Sequence, residues 1–317
     1  MKLQQLRYLR EIARQGLNLS RAAEKLNTSQ PGISRQMQLL EKELGVEIFI
    51  RHGKRFTSIT QPGQAILAIA EKMLQDANNL RKIGEEFGDK ESGSLIIATT
   101  HTQARYVLPD VIKRFIEYYP KIRLTLRQGS PLEIATWVAA GEADIAIATE
   151  AIELFDELIM LPCYQWNRSI VVPPQHPLLA GGELTLEAIA QYNIVTYDFA
   201  FTGRSKINQA FEAEGLKPNV ALTAIDADVI KTYVEIGLGV GILASMAFDS
   251  QRDSGLRAID AAHLFEPSTT RIGISRNCYI RNYIYDFIEM FAPHLPRSHI
   301  QQTLSGKLTN KALRDTE

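Results

Sequence analysis

Gln30, Ser34, Arg35 and Gln38 recur at helical steps, so on a helix they would share one face. Amide, hydroxyl and guanidinium groups side by side suit the base edges and phosphates of a duplex. A second polar set is Thr100, Thr102 and Gln103, joined farther along the chain by Thr149 and Thr202. These are short neutral donors with few fixed cations among them. They suit a small oxyanion, or a zwitterion that presents a carboxylate. Catalytic patterns are missing. The six histidines (52, 101, 176, 263, 294 and 299) show no paired metal-ligand spacing, and no Gly-x-Ser-x-Gly elbow occurs. Gly237-Leu238-Gly239-Val240-Gly241 follows a helical pattern and precedes a strand, the reverse of a dinucleotide loop. No enzyme, no cofactor and no metal is expected.

The first set needs a helix pair to present it. Residues Leu19 to Leu44 read as two helices about a tight turn at Asn27-Thr28-Ser29. Ser20 is expected to cap the first, with Ala22, Ala23 and Leu26 facing inward. The second starts with Pro31 in its first turn, where a missing N–H costs little. Ile33, Met37, Leu40 and Leu44 form its inward face, and Gly45 ends it. This is a helix-turn-helix with the second helix as the reader. An ordinary helical hairpin would show the same periodicity, but charge separates the two readings. Residues 1–60 hold eleven Lys/Arg and five Asp/Glu, a formal +6 in a chain whose total is −1. A basic end on an acidic body points to nucleic acid.

Leu3, Leu6, Leu9, Ile12 and Ala13 make a supporting first helix. Val46–Arg51 and Phe56–Thr60 read as short strands around the basic turn His52-Gly53-Lys54-Arg55. That turn is a wing able to reach phosphate, or else a solvated turn. The candidate DNA contacts are therefore Ser20 and Ser29 at the helix starts, the four reader residues, and Arg51, Lys54 and Arg55 on the wing.

A long helix follows, opening near Thr60 or Gln61. Ala65, Ile66, Ile69, Ala70, Met73, Leu74, Ala77, Leu80, Ile83 and Phe87 form an apolar stripe through about seven turns. With little of its own chain to pack on, this helix is expected to meet a twin from a second subunit. Residues 88–93 read as a polar hinge.

From residue 94 strands and helices alternate, which predicts parallel α/β sheets in two lobes with a cleft between them. The domain plan is 1–60 for DNA, 61–87 for dimerisation and 94–292 for ligand. Lobe I takes about 94–162 and 268–292, lobe II about 163–267, and 293–317 reads as a mobile tail. Thr100, Thr102 and Gln103 fall in a loop (99–103) between a strand and a helix from about Arg105 to Tyr119. Thr149 ends another strand, and Thr202 would cap a helix. Helix starts favour anions. The same threonines would also serve as plain caps and strand ends, and Trp166 either walls the cleft or fills the core.

Cys163 and Cys278 are the only cysteines, too few for a disulfide framework. No apolar run reaches membrane-spanning length and Met1 to Gln15 is charged, so a cytoplasmic protein with no membrane partner is expected.

The N-terminal positions Ala22-Ala23, Leu26, Gln30-Pro31, Ser34-Arg35, Leu40-Glu41, Leu44-Gly45, Phe49, Arg51, Thr60 and Gly63 resemble the LysR-type transcriptional regulators. The resemblance implies a multidomain α+β chain: a winged helix-turn-helix, a dimerising linker helix and a two-lobed effector domain like periplasmic binding proteins. Thr99 to Tyr106 and Ala143 to Glu150 are similar to the CysB/Cbl branch, which acts on cysteine biosynthesis and sulfur assimilation. That branch implies N-acetylserine, O-acetylserine, sulfate or a sulfated metabolite as effector. It also implies activation at promoter DNA with RNA polymerase, and dimers that pair into tetramers. The rival reading is an α/β solute-binding or metabolic protein with an incidental helical N-terminus.

Overall fold

The computed structural model describes residues 1–53, 55–88, 92–149, 155–198 and 204–304. They fall into two units, Met1–Gly84 with Asn277–Tyr279, and Glu85–Arg276 with Ile280–Glu317.

The first unit holds α1 (Leu3–Arg14), α2 (Leu19–Lys25), α3 (Gln30–Leu44), β1 (Phe49–His52), β2 (Arg55–Ile59) and most of α4 (Gln61–Gly88). Its core joins Leu6, Leu9 and Ile12 of α1 to Ala22 of α2, Ile33, Met37 and Leu40 of α3, and Phe49 of β1. β1 and β2 pair antiparallel, and Phe49 stacks on Phe56 with centroids 4.3 Å apart. Gly45 closes α3 at φ +72°, a left-handed cap that a side chain would strain. Leu44 departs from the expected inward face. It is exposed, because the helix ends there and the chain turns away.

The stripe on α4 divides. Ala70 and Leu74 are buried in the core of their own unit, and Ile66, Leu67 and Met73 pack against it. Ile69 (62 % exposed) and Leu80 (70 %) lie open. The helix thus has more of its own chain beneath it than its period suggested.

The second unit contains, in order, β3 (Gly93–Thr99), α5 (His101–Tyr106), α6 (Leu108–Tyr118), β4 (Ile122–Gln128), α7 (Pro131–Ala139), β5 (Ile145–Ala148), β6 (Leu158–Trp166), β7 (Arg168–Val172), α8 (Leu186–Ala190), β8 (Ile194–Tyr197), α9 (Arg204–Ala213), β9 (Val220–Ala224), α10 (Ala227–Glu235), β10 (Val240–Ala244), β11 (Arg257–Asp260), β12 (Ser268–Ser275), α11 (Asn282–Phe291) and α12 (Arg297–Leu304). Two five-stranded sheets run β4-β3-β5-β12-β6 and β11-β7-β10-β8-β9. In each, three parallel strands are joined to a fourth that runs antiparallel to them, and an edge strand pairs antiparallel with that fourth.

Three expectations need correction. Lobe I runs on through Trp166, because β6 pairs with β12 from Ser275↔Leu158 to Ser268↔Trp166. Pro162 stands inside that run. It is tolerated because β6 is an edge strand and the ladder shifts register beside it, between Thr270 and Arg271. Next, the single helix expected from Arg105 is two, α5 and α6. Pro109 in the first turn of α6 has no N–H to continue the α5 ladder. Finally, the expected tail is folded as far as Leu304. Leu295 and Ile300 are too sparse to mark a period, yet both are buried, with α12 packed on β6 and α11.

Arg168 fastens the crossing between lobes. Its Nη1 donates to the Glu266 carbonyl and its Nη2 to Ser268 Oγ, both at 2.8 Å. The end of α4 is held by a buried Arg281, whose Nε donates to Glu86 (3.1 Å), Nη1 to Glu85 (3.2 Å) and Nη2 to the Ser92 carbonyl (2.8 Å).

Candidate functional site

The reader helix is presented as the spacing required. Gln30, Arg35 and Gln38 are exposed and Ser34 is half-buried. Ser29 caps α3 by accepting from Gly32 N at 3.2 Å. Ser20 does not cap α2. Asn18 does, its Oδ1 accepting from Ser20 N and Arg21 N at 3.1 Å. Asn18 is the better placed because Gly16 and Leu17, both at positive φ, turn the chain just before it. Ser20 Oγ instead donates to Gln30 Oε1 at 3.3 Å and ties the two helix starts together. Residues 16–20, Gln30, Arg55 and Phe56 line a recess of about 450 Å³ between the turn and the wing.

Arg51 turns inward. Its guanidinium pairs with Glu41 and lies 5.0 Å from the Phe56 ring. Glu41 also accepts from Ile48 N (3.0 Å) and Phe49 N (3.2 Å). The pair therefore holds the wing to the reader helix. Arg55 remains exposed at the start of β2, and Lys54 lies outside the described residues.

In the second unit five of the six candidate effector residues are buried at the ends of lobe I strands; Thr202 lies outside the described residues. Thr99 pairs with Ile147 across β3 and β5, so Thr100 and Thr149 leave neighbouring strand ends. Thr100 precedes α5 without using its side chain as a cap. Thr102 and Gln103 belong to the first turn of α5 rather than to a loop. Thr102 is 1 % exposed, and its Oγ1 has no hydrogen-bond partner of sound geometry. The Tyr197 hydroxyl at the end of β8 is close enough to Thr102 to interact with it electrostatically, without a hydrogen bond of sound geometry. Burial pushes the Tyr197 phenol up to about 12. A buried hydroxyl without a well-formed hydrogen bond costs stability.

Gln103 and Trp166 meet on one atom. Gln103 Nε2 and Trp166 Nε1 each donate to Thr270 Oγ1 at 3.1 Å, and the Tyr164 hydroxyl donates to Gln103 Oε1 at 2.5 Å. Trp166 is thus part of the core, with its indole N–H donating beside the Gln103 amide.

Sequence reasoning missed a contact between the lobes. Asp228 on α10 accepts from the Tyr106 hydroxyl (2.7 Å) and Arg105 Nε (3.3 Å) of α5, and Lys231 Nζ lies 3.3 Å away. Burial acts to raise the Asp228 carboxyl, but the bonds and charges from Tyr106, Lys231 and Arg105 outweigh it and hold the group below its usual range. His101 Nε2 is 3.6 Å from the same carboxylate. His101, Asp226 and Asp228 bring ligand atoms within 4.8 Å of one another, but the two cations already neutralise Asp228. We read the group as an ion-paired clasp rather than a metal site. Asp228 lies 122 residues from Tyr106, too far for spacing to signal it.

A model of the LysR substrate binding domain matches residues 88–296, and one of the bacterial regulatory helix-turn-helix protein, lysR family, matches residues 3–64. The chain belongs to the LysR family of transcriptional regulators. It is 55% identical over 300 residues to the HTH-type transcriptional regulator SsuR of Burkholderia cenocepacia, covering 95% of this chain and 97% of that protein. It is 51% identical over 307 residues to CysB of the same organism, covering 97% and 98%. The crystal structure of the cofactor-binding domain of the Cbl transcriptional regulator matches with a TM-score of 0.65 at 45% identity, over 67% of this chain and 93% of that one. These relatives are regulators, not enzymes. Among the described residues no helix is long and apolar enough to cross a membrane.

Proposed function

We propose that this protein is a cytoplasmic activator of sulfur-assimilation and cysteine-biosynthesis genes. In this reading a small anionic effector, an acetylserine, sulfate or a sulfated metabolite, enters the interlobe cleft. The observation that carries it is the buried Thr102 hydroxyl, which makes no hydrogen bond of sound geometry and interacts with Tyr197 of the other lobe. Thr100, Gln103, Thr149 and Trp166 are buried near the same strand ends, and the sixth candidate, Thr202, lies outside the described residues. Similarity to SsuR, CysB and Cbl supports the sulfur assignment.

Residues 1–60 bind promoter DNA through Gln30, Ser34, Arg35 and Gln38, with Ser29 holding the helix start and Lys54 and Arg55 on phosphate. The exposed edge of α4, Ile69 and Leu80, forms the dimer seam, and dimers pair into tetramers that engage RNA polymerase. Effector acts by binding one of two conformations better than the other.

Calorimetric titration with N-acetylserine and sulfate tests the pocket. Thr102→Val keeps shape and removes one donor. Affinity should fall about tenfold to a hundredfold, the worth of a buried bond to a charged group. Folding and effector-free DNA binding should persist. Undiminished affinity would place the pocket elsewhere.

A further inference from the structure

Thr100, Thr102, Gln103 and Thr149 are all shut away from solvent. In a two-lobed fold, solute reaches such groups as the lobes part, so a contact that joins the lobes beside them governs the traffic. We infer that the Tyr106 hydroxyl and the Asp228 carboxylate form a latch between the lobes that sets how fast effector enters and leaves, without setting how tightly it binds. The inference rests on the pocket reading above and adds to it a pair of residues that touch no ligand.

Tyr106 reaches from lobe I into lobe II in two ways. Its ring packs against an apolar cluster that includes Ala227, Ile230 and Ala247, with Lys231 Nζ 5.2 Å from the ring centroid. Its hydroxyl donates to Asp228 Oδ1 at 2.7 Å, and Arg105 beside it donates to the other carboxylate oxygen at 3.3 Å. Asp228 is braced within its own lobe. Lys231 is buried, and its Nζ lies 3.3 Å from Asp228 while donating to the Ala247 carbonyl and to Asp253 Oδ2, both at 3.0 Å. Helix α5 links this contact to the pocket. Tyr106 follows Thr102 by four residues and shares its face, so α5 cannot leave lobe II at Tyr106 without carrying Thr102 with it.

A latch must also open at small cost. When the lobes part, Asp228 keeps Lys231 as a partner, and its side chain, already 41 % exposed, gains water. The Tyr106 hydroxyl likewise exchanges the carboxylate for water. No buried charge is stranded, in contrast to the buried Arg281–Glu86 pair, where separation would leave one. The Tyr106–Asp228 bond joins protein groups alone, so it steadies the closed form equally with and without effector. A contact that favours free and bound closed forms alike cancels from the binding equilibrium. It remains in the barrier to opening, which effector meets both on entry and on exit.

The test is rapid-filtration kinetics of radiolabelled inorganic sulfate on the full chain, beside amide hydrogen exchange without effector. Tyr106→Phe keeps the ring and removes one oxygen. Association and release should both quicken by about two- to tenfold, the worth of one hydrogen bond, with Kd within about twofold of the parent's. Hydrogen exchange should rise in α5 and α10 while the melting temperature stays close to the parent's. Thr102→Val, by contrast, should quicken release and leave association alone. Asp228→Ala removes the acceptor, and adding Tyr106→Phe to it should change nothing further, because both act through one bond. If Tyr106→Phe melts early, Asp228→Ala decides alone. Parent-like rates, faster release with unchanged association, unchanged exchange in α5 and α10, or additive effects in the double variant would each overturn the latch and leave the pocket standing. If the parent takes up no sulfate, or Thr102→Val holds it as tightly as the parent does, the pocket reading fails and this inference with it.

Discussion

The reading face of α3 and the strand ends of lobe I carry similar side chains, amides and hydroxyls beside one another, in opposite settings. Gln30, Arg35 and Gln38 stand in solvent. Gln103, Thr100, Thr102 and Thr149 are buried. In solvent a polar group is satisfied by water and needs no neighbour, so the face keeps its donors available for whichever duplex arrives. In the interior each polar group must find a partner or cost stability. Gln103 and Trp166 accordingly both donate to Thr270, whereas Thr102 Oγ1 makes no hydrogen bond of sound geometry. The difference teaches how to recognise each kind of site: the first by what is displayed, the second by what is left unbonded.

The largest effect expected is on the buried side. Arg281→Ala would strand the buried Glu86 beside the partly exposed Glu85, and breaking a buried pair on one side costs about 3–5 kcal/mol. Urea unfolding should show the loss in the effector unit, with the DNA-binding unit unchanged. A fall in both transitions would mean that the two settings are not independent.

On the exposed side the stability of Arg35→Ala should equal the parent's, while specific DNA binding weakens by about 1–3 kcal/mol if the guanidinium meets a base. Filter binding against operator and random DNA separates that loss from a general one. Arg55→Ala should weaken all sequences alike and flatten the salt dependence by about one unit of slope. Equal losses on both DNAs for Arg35→Ala would move that residue from bases to phosphate.

Asp228→Asn tests the intermediate case, a charge half in solvent. Its clasp should be worth about 0.5–1 kcal/mol after screening, seen as faster proteolysis between the lobes. Because the folded carboxyl is held below its usual range, this contribution is complete above the ordinary carboxylate range. It fades as pH falls through the lowered value. Between pH 6 and 8 the parent should show no change from this group.

The smallest effect belongs to backbone alone. A side chain at Gly45 would meet no heavy atom within 4 Å, so Gly45→Ala should cost only about 1 kcal/mol, from the positive φ. A chemical melt measures it. A larger loss would show that the turn into the wing bears on the reader helix itself.

Local signals determined most of the first unit. Pro31 and Gly45 mark the ends of α3, the inward positions Ile33, Met37 and Leu40 set its face, and the charge split names its partner. These signals act within a few residues, so they are readable in order along the chain. The α/β alternation was legible for the same reason, and Thr100, Thr102 and Thr149 could be placed at strand ends. What the chain order could not show was which groups met across distance. Asn18 rather than Ser20 caps α2 because of the backbone turn at Gly16 and Leu17. Arg51 looks like a free cation until Glu41 is folded against it. β6 passes through Pro162 only because it became an edge strand. Gln103 meets Thr270 after 167 residues only once β12 returns to the first sheet, and Tyr106 meets Asp228 only once both lobes are built. Period and capping are properties of neighbours in sequence. Hydrogen-bond partnership in a core is a property of neighbours in space, and only the tertiary structure decides those.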